Sequence, residues 1–308
     1  MLDLGRLRAL HAVSTHGSVQ DAAAALHVTT SAVSQQLGKL EREVGQRLIE
    51  RNGRGVRLTD AALLLAGHAG RILTQVEEAR SDLEAARGAV RGHVTVAAFA
   101  SGARGLMPGV LCDLRDRYPD LAVELRELEM EDTIPMIERG DIDVAIVNDW
   151  DTEPLAPIDG IVKTPLVDDV FDLVLAAGHR LAGSEAVNLA ELDGERWIGW
   201  TKDSICNRWL MRTLRNLGIE PWIAHTVEDH LTQMTLVAAG LGTALLPRIG
   251  RPAKPADVRI VALRPSLARH IYAINRAGAA HRPAVRAVIG ALRAAGVAGS
   301  DSAQAAHA

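Results

Sequence analysis

The sequence predicts a multidomain protein in which a small N-terminal helical module, one long helix and a large C-terminal α/β region follow one another. Three patterns support this fold class. Short amphipathic helices and a tight turn fill the first 58 residues, an unbroken four-three spacing of apolar residues follows, and strand-like runs then alternate with helices. The 308 residues are enough for two or more domains, each with its own core.

The composition is that of a soluble globular chain, with 48% hydrophobic and 23% charged residues. The net charge is −4, but residues 1–92 hold 12 Lys and Arg against 10 Asp and Glu, and the remainder holds 22 against 28. This asymmetry places any polyanionic partner at the N-terminus. Cys112 and Cys206 are too few for a disulfide framework and indicate a reducing compartment. We find no leader peptide and no membrane-spanning run, so we expect a cytoplasmic protein without membrane contact.

The first 45 residues predict three helices. Apolar stripes run over residues 4–13 and 19–26, and a short turn at residues 27–28 leads to a third helix, which Thr29 or Thr30 can cap. Helix, short turn and helix in this order are the helix-turn-helix plan, in which the second helix of the motif enters the major groove of DNA.

The third helix buries an apolar stripe and exposes small polar side chains. Its outward face carries Ser31, Ser34, Gln35 and Lys39, where a solvated helix would ordinarily carry Glu and Lys. Gln35 can pair with adenine, the two serines can reach base edges or phosphates, and Lys39 can neutralise a phosphate. The alternative for each residue alone is an ordinary solvated face.

A hairpin studded with arginines follows at residues 47–59. Asn52-Gly53 between two alternating runs predicts a tight turn, and Arg51, Arg54 and Arg57 surround it. Such basic tips suit the phosphate backbone or a narrow minor groove. The N-terminal module is therefore predicted to be a winged helix-turn-helix.

The next segment predicts one long helix that pairs with a second copy of itself. Its apolar positions alternate at spacings of four and three: Leu58, Ala62, Leu65, Ala69, Ile72, Val76, Ala79, Leu83 and Ala86. This heptad seam predicts a homodimer, because reading two half-sites of DNA usually needs two copies. The alternative is a long helix that packs on its own domain.

Beyond residue 88 the sequence predicts an α/β region with mostly parallel sheets. Strand-like runs lie at residues 93–99, 121–128, 143–147, 172–177, 197–200, 243–247 and 271–275, with helices at 105–117, 206–217 and 229–239. Ligands of such sheets bind beyond the carboxyl ends of the strands. The junctions at residues 98–102 and 199–204 offer backbone N–H groups and hydroxyls, which suit a carboxylate or another anion.

Other chemistry is less well supported by the sequence. His225, Glu228, Asp229 and His230 could ligate a metal, but a capped helix start explains them better, so we expect no metal and no cofactor. An enzyme would need a convergent acid, base or nucleophile, and the motifs for these do not occur. Cys206 follows a strand-to-helix loop that could lower its pKa, which leaves a redox-responsive regulator as an alternative.

Several blocks of the chain resemble the LysR-type transcriptional regulators. The most specific block is LRALHAVSTHGSVQDAAAALHVTTSAVSQQLGKLEREVGQRLIERNGRGVRLTDA, and GHVTVAA, RGDIDVAIV, LVLAAGHRLA and LVAAGLGTALLP follow in the family's order. The departures include Ser31 where proline is common and Gln35 where arginine is frequent, so the base preference is expected to differ.

The resemblance implies a domain organisation. It predicts a winged helix-turn-helix at residues 1–58, a linker and dimerisation helix at 59–89, and a two-lobed effector-binding domain. Lobe I would comprise residues 90–162 and 268–296, lobe II residues 163–267, and residues 297–308 would be a disordered tail. The lobes would be joined by crossovers near residues 160–166 and 263–269.

The resemblance also implies partners and sites. The partners would be operator DNA with dyad symmetry, a small-molecule effector that we expect to be anionic, and further copies of the chain in a dimer or tetramer. RNA polymerase is a further candidate partner. The protein would be associated with the nucleoid. The DNA contacts would be Thr30, Ser31, Ser34, Gln35, Lys39, Arg51 and Arg54. The effector cleft would be lined by Ala100, Ser101, Asn148, Trp200, Thr201, Val227 and Leu246. For Trp200, a place in the core is an equally good interpretation.

Overall fold

A computed structural model describes residues 2–52, 55–86 and 89–305, and the chain in it divides into two compact units. The first unit comprises the described residues up to Ala89 with the segments Glu138–Asp141 and Arg276–Pro283, and the second comprises the rest. None of the helices in these described ranges is long and apolar enough to cross a membrane.

The first unit contains the winged helix-turn-helix that the sequence predicts. Its elements are α1 (Leu4–His16), α2 (Val19–Ala25), α3 (Thr30–Val44), β1 (Ile49–Asn52), β2 (Gly55–Leu58) and α4 (Asp60–Ala86). Side-chain caps start the first three helices, because Asp3, Ser18 and Thr29 accept hydrogen bonds from backbone amides of the first turn. Thr29, and not Thr30, therefore caps α3.

The hydrophobic core of this unit fixes the outward face of α3. Val33, Leu37 and Leu40 are buried against α1, α2 and α4, as the sequence predicts. The carboxylate of Glu41 accepts hydrogen bonds from the amides of Leu48, at 2.8 Å, and Ile49, at 3.2 Å. These two bonds tie the end of α3 to the start of the hairpin.

The long helix α4 divides its apolar seam between two environments. Ala62, Ala66 and Ala69 are buried in the core of the helix-turn-helix, so this part follows the alternative in which the helix packs on its own domain. Further along, Leu83 is 68% exposed. Among the seam positions whose side chains are described, Ala62 and Ala69 therefore pack in the chain's own domain, whereas Leu83 does not.

The second unit is built on a mixed eight-stranded sheet with helices around it. Eight strands form this sheet and two more form a separate pair. The ten strands are β3 (Gly92–Ala98), β4 (Leu121–Glu127), β5 (Val144–Asp149), β6 (Ile161–Ala176), β7 (Ala186–Val187), β8 (Arg196–Gly199), β9 (Trp222–Thr226), β10 (Ala244–Pro247), β11 (Val258–Leu263) and β12 (Leu267–Arg276). Its helices are α5 (Ala100–Gly105), α6 (Met107–Arg117), α7 (Met130–Arg139), α8 (Ile205–Asn216), α9 (His230–Ala238) and α10 (Pro283–Ala305).

The strand order is β4-β3-β5-β12-β6-β11-β7, with β10 also paired to β6 and a separate pair β8-β9. The strands β4, β3 and β5 are parallel, but β12 runs antiparallel to β5, and β10 and β11 run antiparallel to β6. The pairs β11–β7 and β8–β9 are also parallel, so the expectation of mostly parallel sheets is corrected to sheets of mixed direction. The long strands β6 and β12 lie side by side between two groups of strands.

Two groups of strands and helices form separate cores, which we call lobe I and lobe II. The lobe I core lies between its sheet and the helices α6 and α10, and includes Val96, Met107 and Val288. The main lobe II core is aromatic and contains Phe171, Trp197, Trp200 and Trp209, and Trp150 from the connection after β5 packs into it. The second unit is therefore two-lobed, as the resemblance implies.

The helix α10 continues through Ala305, where the sequence predicted a disordered tail from residue 297. Alanine recurs in this segment and has the highest helix propensity, which favours extension of the helix. Residues 306–308 lie outside the described residues.

Candidate DNA-binding surface and effector cleft

The polar face of α3 is fully on the surface. Thr30, Ser31, Ser34, Gln35 and Lys39 are all exposed and lie outside the buried stripe of the same helix. The hydroxyls of Ser31 and Thr29 are 2.8 Å apart and share a hydrogen bond. Within the described residues, the side chains of Ser34, Gln35 and Lys39 make no hydrogen bond or ion pair, so their donors and acceptors face solvent.

Of the hairpin residues Arg51, Arg54 and Arg57, Arg57 is the one whose side chain lies within the described residues. Ile49 pairs with Leu58 and Asn52 pairs with Gly55, which leaves a two-residue connection between the strands. Arg54 lies in this connection, outside the described residues, and the side chain of Arg51 is likewise not described. Arg57 forms an exposed ion pair with Glu50 at 3.2 Å.

The predicted effector residues fall into three places in the second unit. Trp200, Thr201 and Val227 follow the parallel strands β8 and β9 and lie together. Ala100 and Ser101 begin α5, and Asn148 lies near the end of β5. Leu246 is fully buried in a hydrophobic cluster of lobe II, and the structure places it in the core and not at an open surface.

The start of α9 and the loop after β8 are joined by hydrogen bonds. The amide of Thr201 donates a hydrogen bond to the carboxylate of Glu228 at 2.6 Å, and the Thr201 hydroxyl also contacts that carboxylate. Asp229 caps α9 by accepting from the amide of Thr232 at 2.8 Å. Glu228 and Asp229 thus serve a loop and a helix cap, and no cluster of three or more potential metal ligands occurs among the residues that the structure describes.

Trp200 is both a core residue and a neighbour of the cleft. It is 4% exposed, and its ring lies edge-on to Trp209 at 6.5 Å and to His230 at 6.3 Å between centroids. Burial, together with the guanidinium groups of Arg269 and Arg104, lowers the pKa of His230 to about 3. The His230 imidazole is therefore neutral at physiological pH.

A buried ion pair beside the cleft was not predicted from the sequence. The guanidinium of Arg269 donates to Asp169 Oδ2 from Nε at 3.0 Å and from Nη2 at 2.8 Å, and Nη2 also donates to Ser101 Oγ at 2.8 Å. Asp169 Oδ1 accepts from the amides of Arg248 and Ile249 at 3.1 and 2.9 Å. These bonds connect α5 of lobe I, both crossover strands and the segment after β10.

The backbone of α5 also touches the segment after β10 directly. Gly250 has a φ of +67°, and a Cβ atom there would overlap the carbonyl of Ser101. A Cβ at Gly105 would lie 2.5 Å from the amide nitrogen of Gly250. Arg104 closes the contact by donating from Nη1 to the Gly250 carbonyl at 2.8 Å. Only glycine permits so close an approach of the two backbones.

Cys206 lies at the start of α8 among charged side chains. Burial raises the pKa of its thiol to about 12, opposed by Arg269 and reinforced by the carboxylates of Glu129, Glu228 and Glu131. The same environment raises the pKa of Glu129, through burial and then through Glu228 and Glu131. The thiol is therefore protonated at physiological pH, contrary to the lowered pKa that a helix start would give alone.

Several buried polar atoms near the cleft have no hydrogen-bond partner among the described residues. They are Asn148 Nδ2, His230 Nδ1 and Gln233 Oε1. Gln233 uses its amide nitrogen to donate to the carbonyl of Val227 at 2.7 Å, which leaves its oxygen unused. Buried polar groups are nearly always paired, so these atoms are available to water or to a ligand.

Comparison with known proteins identifies the family. A model described as the LysR substrate binding domain matches residues 87–296, and one described as a bacterial regulatory helix-turn-helix protein of the lysR family matches residues 4–63. The chain is 30% identical over 283 residues to a probable hydrogen peroxide-inducible genes activator from Streptomyces viridosporus, which covers 84% of this chain and 86% of the relative.

Solved structures share the fold over nearly the whole chain. A cysteine mutant of OxyR from Corynebacterium glutamicum is 25% identical, with a TM-score of 0.63 and coverage of 99% of this chain and 94% of that one. Full-length CbnR complexed with its target DNA is 23% identical, with a TM-score of 0.55 and coverage of 96% and 100%. The chain belongs to the LysR family of transcriptional regulators, in which a DNA-binding helix-turn-helix domain precedes an effector-binding domain.

Proposed function

We propose that this regulator binds operator DNA of dyad symmetry through the exposed face of α3 and the arginines of the hairpin. The proposed contacts are Thr30, Ser31, Ser34, Gln35, Lys39, Arg51 and Arg54. The observation that carries the proposal is the separation of faces on α3, where a buried apolar stripe holds a row of solvent-facing hydroxyl, amide and ammonium groups outward. Gln35 can form two hydrogen bonds with adenine, and Lys39 suits a phosphate.

We propose that the chain acts as a homo-oligomer paired through α4. Leu63 and Leu64 are 53% and 68% exposed, and Leu83 is 68% exposed, so the helix presents apolar side chains that its own domain does not cover. Pairing of two copies would cover them and would match the two half-sites of a palindromic operator. From the family we extend this proposal to a tetramer. We further propose contact with RNA polymerase and a nucleoid location in the cytoplasm.

The domain boundaries follow as part of the proposal. We place the DNA-binding domain at residues 1–58, the linker helix at 59–89, lobe I at 90–162 and 268–296, and lobe II at 163–267. We also propose that the chain has no enzymatic activity, because its relatives are named as regulators of genes.

An effector bound between the lobes would control DNA binding. We place it against Ala100, Ser101, Asn148, Thr201 and Val227, with Trp200 behind them and Leu246 in the supporting core. The unpartnered amide and imidazole atoms of Asn148, Gln233 and His230 support a polar ligand. The sequence favoured an anion, whereas Glu129, Glu131 and Glu228 around Cys206 favour a neutral or cationic group on that side.

The charge of the effector can be tested with matched pairs of compounds. Each pair would be a carboxylic acid and its primary amide, titrated into the full chain and followed by tryptophan fluorescence. Tighter binding of the acid supports the anionic effector. Tighter binding of the amide supports the influence of the three glutamates.

A redox-responsive regulator is the second candidate, because relatives are named for hydrogen peroxide. The raised pKa of Cys206 argues against it, since the thiolate and not the thiol is the reactive form. Equal DNA occupancy of the wild type and Cys206→Ser, with and without peroxide, would exclude this candidate. A peroxide response that the substitution abolishes would establish it.

Genome-wide pull-down of DNA fragments by the purified full chain tests the main proposal. We expect enrichment of a few interrupted palindromes and loss of that enrichment in a Ser34→Glu variant, because a carboxylate would face the phosphates and base edges. Thr235→Glu, the same type of change at an exposed position of α9, controls for the added charge. Uniform recovery of fragments by the wild type, with and without candidate effectors, would contradict sequence-specific reading.

A further inference from the structure

A cavity lies at the C-terminal end of α8, away from the residues to which we assign the effector. Its volume is about 240 Å³. We call it the hinge cavity, because the segment after β5 and the segment before and into β12 supply much of its wall. Its interior is lined by Trp150, Leu189, Trp209, Thr213 and Leu267, and polar residues surround its mouth.

The interior of the hinge cavity is aromatic and aliphatic. Trp150 and Trp209 stack with centroids 5.0 Å apart and planes 14° apart, and both side chains are almost fully buried. Leu189 is 4% exposed and Leu267 is half-buried. Indole surfaces of this kind favour offset stacking or edge contacts with another flat ring.

The rim of the hinge cavity is polar but nearly uncharged. Asn188, Asn216, Thr152 and Ser266 are exposed around it and offer amide and hydroxyl groups. Among the described lining residues, Asp151 alone is charged, and it already pairs with His270 at 3.1 Å. A ligand here would meet hydrogen-bonding groups at the mouth and no unpaired cation.

The volume sets the size of the ligand. An apolar cavity of about 150 Å³ accommodates benzene, so about 240 Å³ accommodates one aromatic ring with a short substituent. We propose that the hinge cavity is a second small-molecule site, which binds a neutral aromatic compound with a single hydrogen-bonding substituent directed to the rim. A carboxylate would gain no cationic partner and would lie near Asp151.

The position of the hinge cavity connects it to both lobes. Trp209 forms part of its wall and also lies edge-on to Trp200, with ring centroids 6.5 Å apart. The residues Trp150–Thr152 and Pro265–Ala268 belong to the connections between the lobes. An aromatic ligand would therefore pack against the connecting segments themselves. This consequence relies on the proposed effector control, whereas binding in the cavity does not.

Binding can be measured on the full chain without DNA or effector. The probe is 4-fluorobenzyl alcohol, followed by ¹⁹F NMR line broadening, with 4-fluorobenzoate as the charged comparison. We expect saturable binding of the alcohol and at least tenfold weaker binding of the benzoate. Thr213→Trp should weaken binding of the alcohol at least tenfold, because the indole would fill the cavity from half-buried α8. Thr235→Trp, the same change at an exposed position of α9, should leave binding unchanged.

A second blocking variant guards against misfolding. Ser266→Trp fills the rim from an exposed loop position, and each variant is compared with the wild type by circular dichroism before the titration. Loss of binding in a folded Thr213→Trp or Ser266→Trp supports the site. Undiminished binding in both, or no saturable binding by the wild type, overturns the proposal. Loss only in an Ala100→Trp variant would assign the probe to the effector cleft and would also overturn it.

Discussion

Replacing Arg269 by leucine should destabilise the effector-binding region strongly. Arg269 is 3% exposed and donates two hydrogen bonds to Asp169 and one to Ser101. Leucine fills part of the space of the alkyl chain but removes the cation. The carboxylate of Asp169 would then be buried with only the amides of Arg248 and Ile249 as donors.

The size of the expected loss of stability depends on the buried carboxylate of Asp169, which would have lost its cation. Removing one member of a buried ion pair costs about 3–5 kcal/mol, because the other charge stays desolvated. The two remaining amide donors keep Asp169 partly compensated, so we expect a loss near the lower end, about 3 kcal/mol. Adding Asp169→Asn to Arg269→Leu removes the isolated charge, and we expect it to restore about 1–2 kcal/mol.

Urea unfolding followed by tryptophan fluorescence measures these losses. All five tryptophans lie between residues 150 and 222, so the signal reports the second unit and not the helix-turn-helix. Arg259→Leu, at an exposed arginine of β11, is the matched control and should change the free energy of unfolding by no more than about 0.5 kcal/mol. A loss below about 1 kcal/mol for Arg269→Leu, or a double variant less stable than the single one, would refute the reasoning.

Three further outcomes can be measured separately. Gln35→Ala should weaken binding to the cognate operator by about 1–3 kcal/mol and leave non-specific binding nearly unchanged; an equal loss on all sequences in a titration would leave only a phosphate contact. Hydrogen bonding to Asp168 and then Asp151 raises the pKa of His270, so its stabilisation is complete below about pH 6.5 and is lost as the pH rises through the raised value. Both carboxylates are exposed, so at pH 6 the melting temperatures of the wild type and His270→Gln should differ by the equivalent of no more than about 1 kcal/mol. The two melting temperatures should converge by pH 9. A difference that does not change with pH would contradict stabilisation by the protonated imidazole. Alkylation by iodoacetamide at pH 8 should be slow at Cys206, whose thiol has a pKa of about 12, and fast labelling of that residue by mass spectrometry would contradict its protonated state.

The N-terminal fold could be predicted from the sequence because its signals are local. The stripe of Val33, Leu37 and Leu40 determines which face of α3 is buried, and this leaves Gln35 outside. Two adjacent threonines were equally good caps, and the structure selects Thr29. Heptad spacing alone could not distinguish packing on the chain's own domain from packing on a second copy. Ala62 packs on the chain's own domain.

The mixed sheet and the Arg269–Asp169 pair could not be predicted in the same way. The two residues are 100 positions apart in the chain, so no local pattern joins them. The first half of β6 carries charged residues that interrupt the alternation expected of a strand. A charge inside a buried strand implies a partner, but the sequence does not say which arginine supplies it. The effector positions were predicted by resemblance. The sequence does not distinguish a residue that lines a cleft from a neighbouring core residue, and Leu246, predicted to line the cleft, lies in the core.

The close approach of Gly250 to Ser101 and Gly105 has a consequence for motion in the effector-binding domain. Two backbones in direct contact cannot slide or separate without losing their packing, so any effector-driven rearrangement would pivot near this point. Displacements would then grow with distance from the pivot. Spin labels near Gly250 should report almost no change in distance, and labels across the far side of the cleft, beside Thr201, should report the largest.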